Sequence, residues 1–272
     1  MIDAAMQAAY DNRAKVPDFP AFVEAWARDA AAFRAGHPHA ELGVAYGPGA
    51  RAAMDIFWPA SGHDAPLALF LHGGYWQSMG REWFSHLAAG PLAHGVAVAM
   101  PSYDLCPQVT LAGLTGQVRD AAAFLYRRHG RRLVASGHSA GGHLTAMLMA
   151  TDWPARDPAL PAAMVAAGLS ISGLFDLVPL VGTTMNAALR LDPAEAQRLS
   201  PLAMASPHLA LHALVGADEG AEYIRQSRAM AMAWGGTWEA VPGANHFTVL
   251  APLADPASAM VRRLVSLASA LP

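Results

Sequence analysis

The segment Gly137-His138-Ser139-Ala140-Gly141 constrains this chain more than any other. It lies between an apolar run, Leu133–Ser136, that reads as a buried strand and a stretch, Gly142–Ala150, that reads as a helix. To pass from strand to helix in so few residues the backbone must turn sharply, with the central serine strained and its neighbours in close contact. Glycine on both sides removes the side chains that would collide. The serine hydroxyl is then expected to project at the start of the helix, where free N–H groups and the helix dipole favour developing negative charge. Ser139 is therefore a candidate nucleophile.

The rest of the chain has the rhythm that such a turn needs. Apolar runs at Leu67–Leu71, His94–Met100, Met164–Ser170 and Leu211–Val215, with Thr237–Val241 after them, are predicted strands. Leu114–Arg128 has Val118, Ala122 and Leu125 on one helical face, and Tyr223–Trp234 and Ala257–Ala268 also read as helices. Nearer the start, Leu42–Tyr46 and Ala53–Trp58 read as strands joined by the turn Gly47-Pro48-Gly49. Before them, Pro20–Arg34 aligns Phe22, Val23, Trp26, Ala30 and Phe33 along one helical face. Short buried strands alternating with amphipathic helices imply the α/β class, with a mostly parallel central sheet and helices on both faces. Ligands in such sheets sit beyond the carboxyl ends of the strands. The segment 175–207 breaks the rhythm, with Pro179, Pro193 and Pro201 as punctuation, and is expected to form a small helical cap. With no repeat, low-complexity tract or linker, residues 1–272 are expected to form one domain.

Composition narrows the classes further. The 272 residues are 54% hydrophobic and 14% charged, a balance that can bury a sizeable core. The formal net charge is -3 and no Lys/Arg-rich run stands out, which argues against a nucleic-acid partner. The uncharged stretch from Pro158 to Phe175 is interrupted by prolines and glycines and reads as a loop, a strand and a loop, so no membrane span is expected. The first residues lack a basic stretch followed by an apolar one, so no signal peptide is expected. A single cysteine, Cys106, allows no internal disulfide and fits a reducing compartment, so the expected location is cytoplasmic. An apolar surface patch could serve a homodimer.

Two more motifs fall at the carboxyl ends of predicted strands. His72-Gly73-Gly74-Tyr75-Trp76 follows Leu67–Leu71. Gly73 and Gly74 let the backbone turn its N–H groups toward a reacting carbonyl, and the amides of Gly74, Tyr75 and Ala140 are the expected oxyanion donors. The rings of Tyr75 and Trp76 would stand beside that hole, either in contact with substrate or as packing. His72 is expected to be structural. Gly243-Ala244-Asn245-His246-Phe247 follows the last strand. Together these features point to the α/β-hydrolase fold, in which the order Ser, acid, His makes His246 the general base. The acid belongs in the loop after Leu211–Val215, where Asp218 and Glu219 compete; Glu219, three positions after Gly216, has the spacing usual in this fold. His37-Pro38-His39 has no acidic or cysteine partner nearby, and no metal or other cofactor is expected. Cys106, beside a proline, reads as packing or pocket wall.

The HGGYW loop, the GHSAGGH elbow, the SGLFDL segment Ser172–Leu177 and the EYIRQS run Glu222–Ser227 resemble the kynurenine formamidase (arylformamidase) family. The resemblance extends to Tyr10-Asp11-Asn12-Arg13 and to the cap around Asn186. It implies a triad of Ser139, Glu219 and His246, although the family often has aspartate at the acid position. It also implies hydrolysis of an N-formyl aryl amide, such as N-formylkynurenine, with a small-molecule aryl formamide or ester as the expected substrate. A carboxylesterase or aryl amidase acting on another small acyl group would carry the same motifs. A binding protein on a hydrolase scaffold would usually lack a triad member.

Overall fold

A computed structural model describes residues 2–271. Its centre is an eight-stranded sheet in the order β1-β2-β4-β3-β5-β6-β7-β8. The strands are β1 (Ala40–Ala45), β2 (Ala53–Phe57), β3 (Leu67–Leu71), β4 (Ala97–Pro101), β5 (Leu133–His138), β6 (Val165–Ile171), β7 (Ala210–Gly216) and β8 (Thr237–Val241). The pairs β1–β2 and β2–β4 are antiparallel, and every other pair is parallel. This is the mostly parallel α/β sheet that the rhythm predicts.

The central strands β3, β4 and β5 are buried along their whole length, which is why they read as unbroken apolar runs. Their side chains alternate between two cores. Leu67, Leu69, Leu71, Ala97, Ala99, Leu133 and Ala135 enter one. Ala68, Phe70, Val98, Met100 and Val134 enter the other.

Several boundaries move for local reasons. β4 begins at Ala97 instead of His94 because a short helix, Ala89–Ala93, ends there and Gly95 turns the chain at φ 76°. The helix predicted at Leu114–Arg128 runs Leu111–His129, capped by the Thr110 side chain at its start and by left-handed Gly130 at its end. The elbow helix starts at Ala140, directly after the serine.

The segment 175–207 contains short helical turns at Val178–Gly182, Asn186–Leu189, Pro193–Arg198 and Pro201–Ala203. It is tied down by His143 Nε2–H, which donates to the Leu199 carbonyl at 2.8 Å, and by the Phe175 N–H, which donates to Gln226 Oε1 at 2.6 Å. Two short helices at the start of the chain, Ala4–Tyr10 and Asn12–Lys15, were not predicted. They reach across the carboxyl edge of the sheet. The Asp3 N–H donates to the Gly182 carbonyl at 2.7 Å, and the Tyr10 hydroxyl donates to Glu222 at 2.8 Å. After them the helix Phe19–Gly36 buries Trp26 and Ala30, two residues of the predicted apolar face. Among the described residues no helix is long and apolar enough to cross a membrane.

Candidate active site

Ser139 has φ 57° and ψ −117°, a conformation that a side-chain-bearing residue adopts only under strain. The flanking packing imposes it. A Cβ on Gly141 would stand 1.9 Å from the Leu71 carbonyl oxygen, and one on Gly137 would stand 2.3 Å from the Gly141 carbonyl oxygen. Only glycine fits at either place.

His246 meets the serine from the loop after β8. The Asn245 side chain accepts from the N–H groups of Phe247 and Thr248 at 2.8 and 3.1 Å and so fixes the turn that carries the imidazole. His246 Nε2 lies 3.0 Å from Ser139 Oγ, and Nδ1 lies 2.6 Å from Glu219 Oε2. The second carboxylate oxygen of Glu219 accepts from the Gly216 N–H at 2.7 Å and from the Ser172 hydroxyl. The Glu219 side chain is fully buried, and the neighbouring Asp218 is exposed. Of the two competing carboxylates, only Glu219 reaches the imidazole.

The imidazole is also held from below and from the side. His138 donates from Nε2–H to the His246 carbonyl at 2.9 Å, and their rings are 4.7 Å apart. The Tyr223 ring lies 4.9 Å from the His246 ring. Burial pushes the His138 imidazole well below its ordinary range, so it is neutral and serves as a fixed donor. Ser172, His138 and Tyr223 were given no role from the sequence, although each lies in a quoted motif: the SGLFDL segment, the GHSAGGH elbow and the EYIRQS run. The Ser172 backbone is left-handed at φ 52°.

The glycine loop runs against the nucleophile: a Cβ on Gly73 would lie 3.2 Å from that of Ser139. Gly74 has φ 110°, and a Cβ there would meet the Ser78 carbonyl oxygen at 2.3 Å. Among the described residues, no hydrogen bond within the chain engages the N–H of Gly74, Tyr75 or Ala140. His72 is buried and donates through Nδ1–H to the Gly73 carbonyl at 2.7 Å, with the Tyr103 ring stacked on it at 4.2 Å. Burial lowers its pKa to about 4, so it stays neutral in the place where it packs.

Tyr75 and Trp76 part company. Both have left-handed backbones, at φ 54° and 59°, and the turn sends their rings in different directions. Tyr75 lines the cavity at Ser139. Trp76 does not: it is fully buried in the core, edge-on to His143 at 5.2 Å. Of the two readings left open for Trp76, that turn removes substrate contact, so Trp76 is corrected from a substrate-binding residue to core packing. The walls are supplied instead by Phe19, Val23, Trp26, Met79, Phe84 and Phe247. Phe19 and Trp26 stack on Phe247, the residue after the base, at 5.6 and 6.1 Å. Phe22, Val23 and Trp26 had been marked in the sequence as a helix face, but nothing there placed that face over the serine. Cys106 lies in the core, and burial raises its thiol pKa to about 11, which leaves no thiolate to act as a nucleophile.

Two cavities meet here. One touches Ser139 and His246, measures about 40 Å³ and lies between apolar walls. The other lies outward, measures about 420 Å³, and has polar residues such as Gln7, Asp11, Arg13, Gln77 and Thr184 around it. Arg13, Gly74 and Tyr75 line both. The cap segment contributes Thr184 and Met185 to the outer one and nothing to the inner one, whose covering comes from the start of the chain.

Comparison with known proteins agrees with this architecture. The family model described as BD-FAE matches residues 54–195. A kynurenine formamidase from Salmo salar is 32% identical over 232 residues, covering 79% of this chain and 77% of the relative. A crystal structure from Silicibacter sp. TM1040, provisionally described as a thioesterase, superposes with a TM-score of 0.89 at 34% identity, covering 97% of this chain and 99% of that one. An esterase from Pyrobaculum calidifontis shares the fold, with a TM-score of 0.70 at 18% identity and 93% of each chain covered. This chain is a hydrolase of the α/β-hydrolase fold and belongs to the kynurenine formamidase family.

Proposed function

We propose that the protein hydrolyses an N-formyl aryl amide, N-formylkynurenine being the fitting example, through Ser139, His246 and Glu219. The observation that carries this reading is the size of the cavity at Ser139. At about 40 Å³ between apolar walls it favours a small acyl group over a long one. The 420 Å³ chamber beside it has room for an arylamine leaving group.

In this mechanism His246 takes the proton from Ser139 Oγ as that oxygen attacks the formyl carbon. Glu219 holds Nδ1–H and stabilises the imidazolium that forms. The oxyanion is received by the unengaged N–H groups of Gly74, Tyr75 and Ala140. The C–N bond then breaks, and protonated His246 delivers its proton to the leaving nitrogen. Water, deprotonated by the same imidazole, attacks the formyl-serine and releases formate. Neither step needs a metal or another cofactor. A single cysteine, with no internal disulfide possible, supports a cytoplasmic location.

The test is kcat/KM for N-formylkynurenine beside p-nitrophenyl acetate, with Ser139→Ala as the blank. A formamide value near about 10⁵ M⁻¹s⁻¹ or above, matching the activated ester, is the expected result. Brisk ester cleavage with negligible formamide turnover would replace this reading with a second one, a small-acyl esterase, which the thioesterase description of the Silicibacter structure favours.

A further inference from the structure

Arg13 is an exposed cation that forms no ion pair among the described residues. It is nevertheless not free to wander. Its guanidinium sits 5.4 Å from the centre of the Phe19 ring and 5.6 Å from that of Tyr75. Two aromatic faces hold the charge where the inner and outer cavities join. Asp11, two residues earlier, lines the same outer chamber. One of its carboxylate oxygens accepts from the Ala14 N–H at 3.0 Å, and it makes no ion pair with Arg13. The chamber therefore presents one fixed positive charge and one negative charge that do not neutralise each other.

An uncharged aryl group would gain nothing from that arrangement. A leaving group that carries a free amino-acid function has both complementary charges. We propose that Arg13 is the specificity-determining residue of this site, binding the carboxylate of an aryl amino acid through its planar guanidinium, with Asp11 facing the ammonium. This rests on the arylformamidase reading above, since it describes the leaving-group side of the same site. Guanidinium suits the task because its donors match the two oxygens of a carboxylate. Pre-positioning by Phe19 and Tyr75 reduces the side-chain freedom lost on binding.

The experiment separates this inference from the formamidase reading by measuring binding in place of turnover. Kynurenine and 2-aminoacetophenone, the same arylketone without the amino-acid function, are titrated calorimetrically into the Ser139→Ala protein and into the same protein carrying Arg13→Gln or Arg13→Lys. Kynurenine should bind the parent more tightly than 2-aminoacetophenone does. Arg13→Gln should weaken kynurenine by roughly ten- to a hundredfold, the cost of one charge-assisted contact in a partly exposed site, and bring the two ligands level. Arg13→Lys should restore part of the difference. A parent that does not discriminate between the two ligands would overturn the assignment. So would an Arg13→Gln protein that weakens both ligands equally, because the arginine would then merely support the aromatic wall. Formamide turnover by the native enzyme is judged separately, so its absence would remove the formamidase reading while the binding result still decided the role of Arg13.

Discussion

The floor of the site and its roof are built on different principles. The floor consists of the elbow, the glycine loop and the two loops that bring Glu219 and His246. It is held by short contacts and hydrogen bonds with no slack: glycines that admit no Cβ, a carboxylate with three partners, an imidazole bonded at both nitrogens. The roof is the start of the chain, where Phe19, Val23 and Trp26 pack on Phe247 and Phe84 through aromatic and apolar contact. Floor positions are fixed by these contacts and suit charge and proton movement. Roof positions set volume and polarity and suit selection. If this division holds, damage to the floor should lower the rate for every substrate alike, and damage to the roof should change the ratio between substrates.

The largest effect is expected from the floor. Glu219→Ala should lower kcat by about 10³-fold or more on both formamide and ester, with little change in KM, because the imidazole loses its orienting partner. Asp218→Ala, one residue away but exposed, should leave kcat close to the native value. Parallel steady-state kinetics of the two variants decide the matter, and a crippled Asp218→Ala with a healthy Glu219→Ala would reject the acid assignment.

The floor was also the part that sequence could reach. Its geometry is imposed by residues close together in the chain: Gly137, Ser139 and Gly141 within one turn, Gly73 and Gly74 in another, His246 after the last strand. Local steric rules tie such residues to one conformation. Even here, Asp218 and Glu219 differ by only one position, and the side chain that enters the site depends on how the loop after β7 bonds back to Gly216. The roof depends on contacts between distant segments. Phe19 meets Phe247 across most of the chain, and Trp26 meets Phe84 across three strands and their connections. The amphipathic pattern of that helix said that a face would be buried, but not against what. Tyr75 and Trp76 illustrate the limit: adjacent aromatics, indistinguishable by pattern, are sent to the cavity and to the core by two successive left-handed residues.

A second expected effect follows from the dehydration of the floor. Burial lowers the pKa of His72 and of His143 to about 4 and holds that of His138 well below its ordinary value. In the unfolded chain each imidazole takes up a proton near its ordinary pKa of about 6.5. Between these values the unfolded state binds more protons, so stability is complete above about pH 6.5 and is lost as the pH falls toward 4. For a histidine shifted to about 4, the loss at pH 5 is on the order of 2 kcal/mol. Urea unfolding midpoints should therefore fall clearly between pH 7.5 and pH 5. In His143→Gln, whose amide can still donate to the Leu199 carbonyl, that fall should be smaller. Equal pH dependence in the two proteins would show that the buried floor is not what acid attacks.

The smallest effect tests the apolar wall beneath the roof. Met79 is half-buried, lines the inner cavity and has a flexible side chain, so shortening it opens space without removing a core residue. Met79→Ala should raise the ratio of butyryl to acetyl ester cleavage by roughly tenfold, the value of about one or two methylenes in an apolar pocket. The change should arise from faster turnover of the longer acyl group, with acetyl ester cleavage altered by only about twofold, because the oxyanion donors and the imidazole keep their places. A p-nitrophenyl ester series from acetyl to hexanoyl measures it directly. If both esters slow together, Met79 supports the floor and the division between the two regions is false at that residue. If the ratio rises while the floor variants slow all esters alike, the same chain has separated the group that performs the chemistry from the group that chooses the acyl chain.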